Sequence, residues 1–263
     1  KGIEEFYGSK YIQSSTDYSY IETERFLKEN KLVLYTGTPC QIAGLKKYLG
    51  KEYDNLLTMD FICHGVPSTR IWKQYLKETG LEEDRITNIF FRDKNKNGWK
   101  KYHFTIESSS NDSLSEIHYY NPFIKGFLHN LYLRPSCHCC KYKEYNSQSD
   151  FTMGDFWRVR KYYPKFYSKN GVSVLIANTS KAISLLPLLN MEYLSIDKEQ
   201  VINSCPSITN VSQPHPSRNE FWEQIEKGLS LIELINNYIP SPSKYNLFFK
   251  DFIGNLIYQI RRL

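Results

Sequence analysis

The stretch Lys31-Leu-Val-Leu-Tyr-Thr-Gly-Thr-Pro-Cys40 decides the fold, because a short apolar run passes through a small-residue turn into a helical pattern. The apolar run predicts a buried strand over its first five residues, and Pro39 suits the first position of a helix that continues over residues 40–49. The same order returns with a strand at 56–62 and a helix at 69–79. A repeated strand, loop and helix indicates parallel strands in an α/β sheet.

The middle of the chain changes character, since apolar runs alternate there with polar turns, a pattern that favours antiparallel strands. The strands predicted there cover residues 86–92, 101–107 and 114–118. Later strands are predicted at residues 151–156, 171–178 and 191–196. Further helices are predicted at residues 17–30, 121–131, 179–189, 218–238 and 244–262. The predicted fold class is α/β, with a mixed sheet and flanking helices, an antiparallel central insertion and C-terminal helices.

The composition predicts a soluble globular protein, because 41% of the 263 residues are apolar and 24% are charged. The net charge of +6 suits a polyanionic cofactor or an acidic protein partner. Scattered lysines and arginines, with no zinc-finger spacing, argue against nucleic acid as a partner. No run of about 18 apolar residues predicts a membrane span, and we expect a cytoplasmic protein with reduced thiols. Because the chain begins at Lys1 without a methionine, we also expect a fragment that lacks N-terminal residues.

Four of the six cysteines have settings that suggest a metal site. Cys40 and Cys63 each follow the end of a predicted strand, where ligands bind in open α/β sheets. Cys137 and Cys140 form a Cys-x-x-Cys pair, whose spacing lets two sulfurs reach one metal from a tight turn. Four thiolates at one point can hold a 4Fe–4S cluster or close a zinc site. The spacing alone leaves these two possibilities open.

Each of these cysteine settings has alternatives. Cys40 at a helix start could be a metal ligand, a nucleophile or a small buried residue. The side chain of Cys139 could point away from the metal or replace one member of the Cys-x-x-Cys pair, and His138 could be a further ligand. His64 follows Cys63 and is more typical of a structural histidine than of a ligand.

Three further segments could line a nucleotide-bearing cofactor. Gly8-Ser9-Lys10-Tyr11 and Thr36-Gly37-Thr38-Pro39 are small-residue loops, whose backbone N–H groups can hold a phosphate. Gly154-Asp155-Phe156-Trp157 places two aromatic rings and a carboxylate after a strand, as a wall beside a flat cofactor would. Plain turns and the end of a core strand explain the same residues equally well.

Taken together, these segments resemble the beta-subunit family of the coenzyme F420-reducing hydrogenases and dehydrogenases, whose relatives include 7-hydroxymethyl chlorophyll a reductase. The resemblance covers roughly residues 5–222. The matching stretches are Gly8-Ser-Lys-Tyr-Ile-Gln-Ser14, Tyr35-Thr-Gly-Thr-Pro-Cys-Gln-Ile-Ala-Gly-Leu45, Cys63-His-Gly-Val-Pro-Ser68, Phe91-Arg-Asp-Lys94 with Gly98-Trp99, Arg134-Pro-Ser-Cys137 with Cys140-Lys141, Ser149-Asp-Phe-Thr-Met-Gly-Asp-Phe-Trp157, and Pro214-His-Pro-Ser-Arg218 with Phe221.

The resemblance implies an iron–sulfur flavoprotein oxidoreductase. Such a protein would pass electrons between a 4Fe–4S cluster, FAD and a small organic substrate, and would exchange electrons with a redox partner such as a ferredoxin or a ferredoxin-like module. By carry-over, the cluster ligands would be Cys40, Cys63, Cys137 and Cys140. The residues carried over to the cofactor site are Gly8, Ser9, Lys10, Tyr11, Gln13, Thr36, Gly37, Thr38, Gln41, His64, Lys141, Gly154, Asp155, Phe156 and Trp157. The implied domains are a flavin and iron–sulfur domain over residues 1–222 and a C-terminal helical tail over 223–263.

The chain departs from the family pattern in three respects. Many relatives carry an N-terminal ferredoxin-like module with Cys-x-x-Cys-x-x-Cys, a spacing absent from this sequence. The segment Asn146-Ser-Gln-Ser149 lacks the arginine common before Ser-Asp, and Arg158 follows Trp157 where glycine is usual. Use of the deazaflavin coenzyme itself is therefore not carried over.

Two other functions remain as alternatives at this point. One is a zinc-stabilised, non-enzymatic interaction or assembly domain, and the other is a thiol enzyme with Cys40 as its nucleophile. Separately, the helix at 244–262 is apolar on one side and ends in Arg261-Arg262. We expect that apolar side to pack on the domain, with a membrane surface or a partner as the alternative.

Overall fold

The computed structural model describes residues 8–109 and 113–262. The first seven residues of the predicted first domain, and Leu263 at the end of the predicted tail, lie outside this description. The helices are α1 (Ser19–Lys28), α2 (Pro39–Leu49), α3 (Thr69–Thr79), α4 (Pro122–Leu128), α5 (Val159–Tyr162), α6 (Ser180–Leu185), α7 (Lys198–Ser204), α8 (Arg218–Glu226), α9 (Leu231–Tyr238) and α10 (Lys244–Arg262). The strands are β1 (Val33–Gly37), β2 (Leu56–Phe61), β3 (Ile86–Asp93), β4 (His103–Ser108), β5 (Leu114–Ile117), β6 (Phe151–Asp155) and β7 (Ser173–Ala177).

A four-stranded mixed sheet carries the repeated strand–helix pattern. Its order is β1-β2-β6-β7, in which β1, β2 and β6 run parallel and β7 runs antiparallel to β6. Because the carboxyl ends of parallel strands meet at one edge, the loops after β1, β2 and β6 lie together. The predicted mixed α/β sheet is confirmed, and so is the separate antiparallel sheet, whose order is β3-β4-β5.

The largest core lies between the antiparallel sheet and four helices. Its fully buried side chains include Tyr75 of α3, Phe104 of β4, Phe123 of α4 and Phe221 of α8. Helix α9 contributes Ile235 to the same core. The predicted domain boundary after residue 222 falls inside α8, and α9 packs with the residues that precede that boundary. Two smaller cores cover one face of the four-stranded sheet.

Two of the predicted elements differ from the structure. The strand predicted at residues 191–196 is an irregular segment, in which Tyr193 is 63% exposed and no neighbouring strand pairs with it among the described residues. Alternating apolar residues form a strand only where a neighbouring strand is available to pair with them. The helix predicted at 218–238 is two helices, because Gly228 adopts a left-handed φ of 80° and separates α8 from α9.

The C-terminal helix α10 contacts the rest of the protein through polar residues, which include Asp251 and Asn255. The apolar side of α10 is exposed, so the expectation that this side covers the domain is wrong. No helix in the described part of the chain is long and apolar enough to cross a bilayer.

Glu78 of α3 joins two helices of the main core by capping the start of α9. Its carboxylate accepts hydrogen bonds from the backbone N–H groups of Leu231 (2.8 Å) and Ile232 (3.0 Å) and from the hydroxyl of Ser230 (2.9 Å). Burial acts to raise the pKa of Glu78, but these donors, together with Gln74, bring the pKa below its usual value. The carboxylate therefore satisfies donors that α9 itself cannot pair.

We predict that Glu78→Gln lowers the free energy of unfolding by about 1–3 kcal/mol at pH 7, because a charged acceptor of several donors is lost. The folded-state pKa lies below the unfolded value of about 4.3, so this stabilisation is fully present above that pH. It is lost as the pH falls through the folded-state pKa. Urea unfolding at pH 7 and in acid measures both effects.

The matched control is Glu82→Gln, since Glu82 pairs with Arg85 at the surface and is 57% exposed. We expect this control to change the free energy of unfolding by less than about 0.5 kcal/mol. Equal losses in the two variants would show that Glu78 does not act as the cap.

Candidate cofactor site

The four cysteines carried over as cluster ligands line one cavity at the carboxyl edge of the four-stranded sheet. Cys40 lies in the first turn of α2, and Cys63 follows the end of β2 by two residues. Cys137 lies in a short 3-10 turn, Pro135–Cys139, and Cys140 ends that turn. Three separate segments of the chain thus supply one set of thiols.

Backbone pairing brings the Cys-x-x-Cys segment to the loop after β2. Ser68 N–H donates to Tyr132 O at 3.0 Å, and Arg134 N–H donates to Val66 O at 2.8 Å. Gly65, just before this pairing, adopts a φ of 149°, and a Cβ there would lie 2.8 Å from the Leu133 side chain. A residue other than glycine at this position would push the two loops apart.

The connector between α7 and α8, residues 205–217, contacts the loops that carry the cysteines. The amine of Lys143 donates to Cys63 O at 2.7 Å and to Ser207 O at 2.8 Å. The hydroxyl of Ser212 donates to His64 O, and His138 Nδ1 lies 2.6 Å from Ser212 O, a group that can only accept. The connector therefore fixes the backbone of the two segments that carry Cys63 and Cys137.

The thiols on the inner side of the cavity are costly to ionise. Burial raises the pKa of Cys63 to about 12, the Lys143 ammonium opposes that shift, and Cys137 and Cys40 add to it. Burial also raises the pKa of Cys137, and the neighbouring Cys140 adds to that shift. A positive group in the cavity would favour the thiolate forms of these cysteines.

The thiols nonetheless surround the cavity and do not meet at a point. Among the described residues, no three Cys, His, Asp or Glu side chains are placed to hold one metal ion. The four thiols therefore share one cavity without forming a ready site for a single ion.

The two remaining cysteines lie outside the lining of the cavity. Cys139 is exposed, and its sulfur is 3.9 Å from Pro135 O and 3.8 Å from Ser136 O. Cys205 is buried and donates to Asp155 O at 3.0 Å, and burial raises its pKa to about 11. The structure thus separates the Cys137 and Cys140 pair from Cys139.

A buried polar network supports the floor of the cavity. Asp60 of β2 lines the cavity and accepts from the hydroxyls of Ser147 (2.5 Å) and Thr152 (2.6 Å). Asp150 accepts from the backbone and the hydroxyl of Thr58, both at 2.8 Å. The polar residues between 147 and 152 therefore hold β6 against β2.

A buried cluster of charged and aromatic side chains surrounds Arg92 of β3 at the end of β6. The side chain of Arg92 is 6% exposed, forms an ion pair with Asp155 and lies 5.0 Å from the ring of Tyr102 and 4.9 Å from the ring of Trp157. Its Nε and Nη2 groups are buried without a hydrogen-bond partner among the described residues. A buried guanidinium with two unsatisfied N–H groups fits an anionic or carbonyl-bearing ligand.

Tyr11 brings the N-terminal loop to the cluster around Arg92. Its ring packs on Phe91 at 5.5 Å and on Phe127 at 4.7 Å. Burial raises the pKa of Tyr11, and the positive charge of Arg92 opposes the shift. Of the Gly8–Gln13 segment, Tyr11 is thus the residue that reaches Arg92.

The cysteine cavity lies near the cluster around Arg92. Thr152 lines the cavity and Asp155 pairs with Arg92, and these residues lie three positions apart on β6, or roughly 10 Å. Gly154 lies between them, and a Cβ there would come within 2.5 Å of Ile62, which also lines the cavity. The glycine therefore allows close packing of β6 against the end of β2.

The remaining residues carried over to the cofactor site fall into three groups. Thr38 and Gln41 form a capping box at the start of α2, in which Thr38 N–H donates to the Gln41 side chain at 2.9 Å, and Gly37 packs on that side chain. His64 lines the cavity, where burial lowers its pKa, and Phe156 lies in a core. The others lie at or near the surface, and they are Gly8, Ser9, Lys10, Gln13, Thr36, Lys141 and Trp157.

Arg92 and Trp99 lie in stretches that resemble the family, but no sequence pattern assigns a role to either residue. Trp99 is buried and stacks on Trp157 with ring centroids 5.0 Å apart and an interplanar angle of 14°. The available signal was a basic residue inside an apolar strand, between Phe91 and Asp93. Lys143, and not Lys141, is the lysine that lines the cavity.

Comparison with known proteins identifies the family of the chain. A family model that describes the C-terminal part of the coenzyme F420 hydrogenase/dehydrogenase beta subunit matches residues 30–200, which is more than half of the chain and includes all four cavity cysteines. A search of curated proteins found no match. The match relates the chain to oxidoreductase subunits. The chain therefore belongs to the coenzyme F420 hydrogenase/dehydrogenase beta-subunit family.

Proposed function

We propose that this protein is an iron–sulfur flavoprotein oxidoreductase in which a 4Fe–4S cluster and FAD exchange electrons with a small organic substrate. The observation that carries the proposal is the gathering of Cys40, Cys63, Cys137 and Cys140 around one cavity. Flavin supplies the switch between one-electron and two-electron chemistry when it is bound. The residues of this chain bind, orient and electrostatically adjust the two groups.

The family to which the chain belongs supports the choice of a cluster over zinc. A zinc ion needs four ligand atoms within about 2.3 Å of one nucleus. A cube has four iron atoms, each bound by one thiolate, so it too takes four cysteines. The four cysteines that line the cavity supply the ligand number that either group needs.

Lys143 would act on the cluster through its charge. Its amine is held by Cys63 O and Ser207 O, and the residue lines the cavity. A fixed ammonium beside a group that gains an electron stabilises the reduced form. Lys143 therefore would raise the reduction potential of whatever the thiols hold.

Arg92 would bind the flavin. Its two unpartnered N–H groups can donate to a phosphate or to ring carbonyl oxygen atoms, and Asp155 keeps the guanidinium in place. Trp157 is 42% exposed and Trp99 stacks on one side of its ring, so the exposed part of the ring beside Arg92 can contact a flat ring.

A redox partner would dock on the open face of the four-stranded sheet. The face opposite to the two small cores carries Leu34 (56% exposed), Phe61 (41%) and Met153 (43%), with Phe61 and Met153 in register on adjacent strands. Phe61 also lines the cysteine cavity, so a ferredoxin or ferredoxin-like module on this face would lie beside the cluster. An apolar patch of this kind is typical of a protein–protein contact.

The first test of the proposed function concerns the metal. We expect anaerobically purified protein to contain about four iron atoms per chain, and Cys137→Ser to lose most of that iron, because it removes a ligand. The matched control is Cys139→Ser, two residues away and outside the cavity lining, which should keep its iron. Iron, zinc and sulfide analysis of the three proteins would falsify the proposal by finding one zinc and no iron.

The second prediction concerns the flavin. Arg92→Lys keeps the charge beside Asp155 but removes two N–H donors, so we expect FAD to bind about 10- to 100-fold more weakly. Fluorescence titration of FAD measures the change, and thermal unfolding checks that the fold survives. The control is Arg85→Lys, at a surface pair. Unchanged FAD affinity in Arg92→Lys would remove Arg92 from the flavin site.

The third prediction concerns the reduction potential. Lys143→Gln removes the ammonium but keeps a donor, and we expect the midpoint potential of the cluster to fall by up to about 60 mV, the shift of a tenfold change in a one-electron equilibrium. Lys141→Gln alters an exposed lysine outside the lining and should have a smaller effect. A redox titration followed by absorption would contradict the assignment if Lys141 had the larger effect.

A further inference from the structure

Helix α10 presents its apolar side to solvent. Eight large apolar residues repeat at spacings of three and four along the helix and are between 43% and 71% exposed. They are Tyr245, Phe248, Phe249, Phe252, Ile253, Leu256, Ile257 and Ile260. At 100° per residue they cover roughly half of the helix circumference. We refer to these eight residues as the apolar stripe.

The opposite side of α10 holds the helix to the body of the protein through polar contacts. Asp251 forms an ion pair with Lys101. Arg160 donates to Asn255 at 3.1 Å and lies 4.0 Å from the ring of Tyr258. The hydroxyl of Tyr258 also lies 3.4 Å from a backbone carbonyl of residue 164. The helix is therefore fixed in an orientation that leaves the stripe uncovered by the described residues.

The charge of α10 indicates what kind of surface covers the stripe. Its sequence contains four cations, Lys244, Lys250, Arg261 and Arg262, and one carboxylate, Asp251. That carboxylate is already paired with Lys101, and the whole chain carries a net charge of +6. The complementary surface is therefore apolar and anionic.

A second copy of the chain does not meet these conditions. It would bring together two helices whose sequences each contain four cations and one carboxylate, and Lys101 already pairs with that carboxylate. The stripe is also wider than the narrow seam of a two-stranded coiled coil. An anionic bilayer supplies both an apolar interior and negative headgroups, and its surface attracts lysine and arginine side chains.

We propose that α10 lies in the interface of an anionic lipid bilayer, with its apolar stripe in the acyl boundary and the body of the protein held above it. A helix of this kind is buried about 5–10 Å and does not cross the membrane. The inference rests on α10 alone and is independent of the cofactors. It makes the protein peripheral to a membrane while its cysteine cavity stays in water.

Co-sedimentation with vesicles tests the proposal on the full chain. We expect binding to vesicles of phosphatidylcholine mixed with phosphatidylserine, at least tenfold weaker binding to phosphatidylcholine alone, and weaker binding at high salt. The double variant Phe248→Glu with Phe252→Glu should lose at least tenfold in affinity for the mixed vesicles. Both side chains are more than 60% exposed, so thermal unfolding should be unchanged.

The control variant is Leu32→Glu, which places the same charge at a residue that is 83% exposed and lies before β1. It should bind the mixed vesicles as the unaltered protein does. Failure of the unaltered protein to bind mixed vesicles, equal binding to both vesicle types, or full binding by the double variant would each overturn the proposal. A dimer in solution that the double variant dissociates, without vesicle binding, would assign the stripe to self-association and likewise overturn it.

Discussion

The backbone pairing between the loop after β2 and the segment before Cys137 is the constraint on which the site depends. Two hydrogen bonds, Ser68 N–H to Tyr132 O and Arg134 N–H to Val66 O, bring together parts of the chain about seventy residues apart in sequence. Parallel pairing of β1 with β2 adds Cys40 to the same edge. These contacts involve backbone atoms, so the position of the thiols does not depend on their own chemistry.

This edge also explains why the cysteine cavity lies near Arg92. Strand β6 contributes Thr152 to the lining of the cavity and Asp155 to the ion pair with Arg92, so a single strand sets the spacing between them. The surrounding polar residues satisfy one another, as Asp60 and Asp150 do with nearby hydroxyls. Among the described residues, Arg92 is the one side chain with two buried nitrogen atoms that lack a hydrogen-bond partner, so a ligand has much to contribute there.

Local patterns were sufficient for the elements that position the cysteines, because Pro39 and the apolar runs act over a few residues. They could not identify Arg92 as a site residue, since its partner Asp155 lies 63 positions later and the contact depends on how two sheets pack. They were wrong about residues 191–196, where the alternation is present but no strand receives it. They were also wrong about α10, because amphipathicity defines an apolar face but not the surface that the face meets.

The central claim is that the four cysteines surround a cluster of several metal atoms. X-ray absorption at the iron edge of the anaerobic protein tests it most directly, since the spectrum reports the neighbours of the bound metal. The account predicts iron bound by sulfur with further iron atoms as second neighbours. Iron without metal neighbours, or an absorbing zinc with four sulfur ligands at about 2.3 Å, would contradict it.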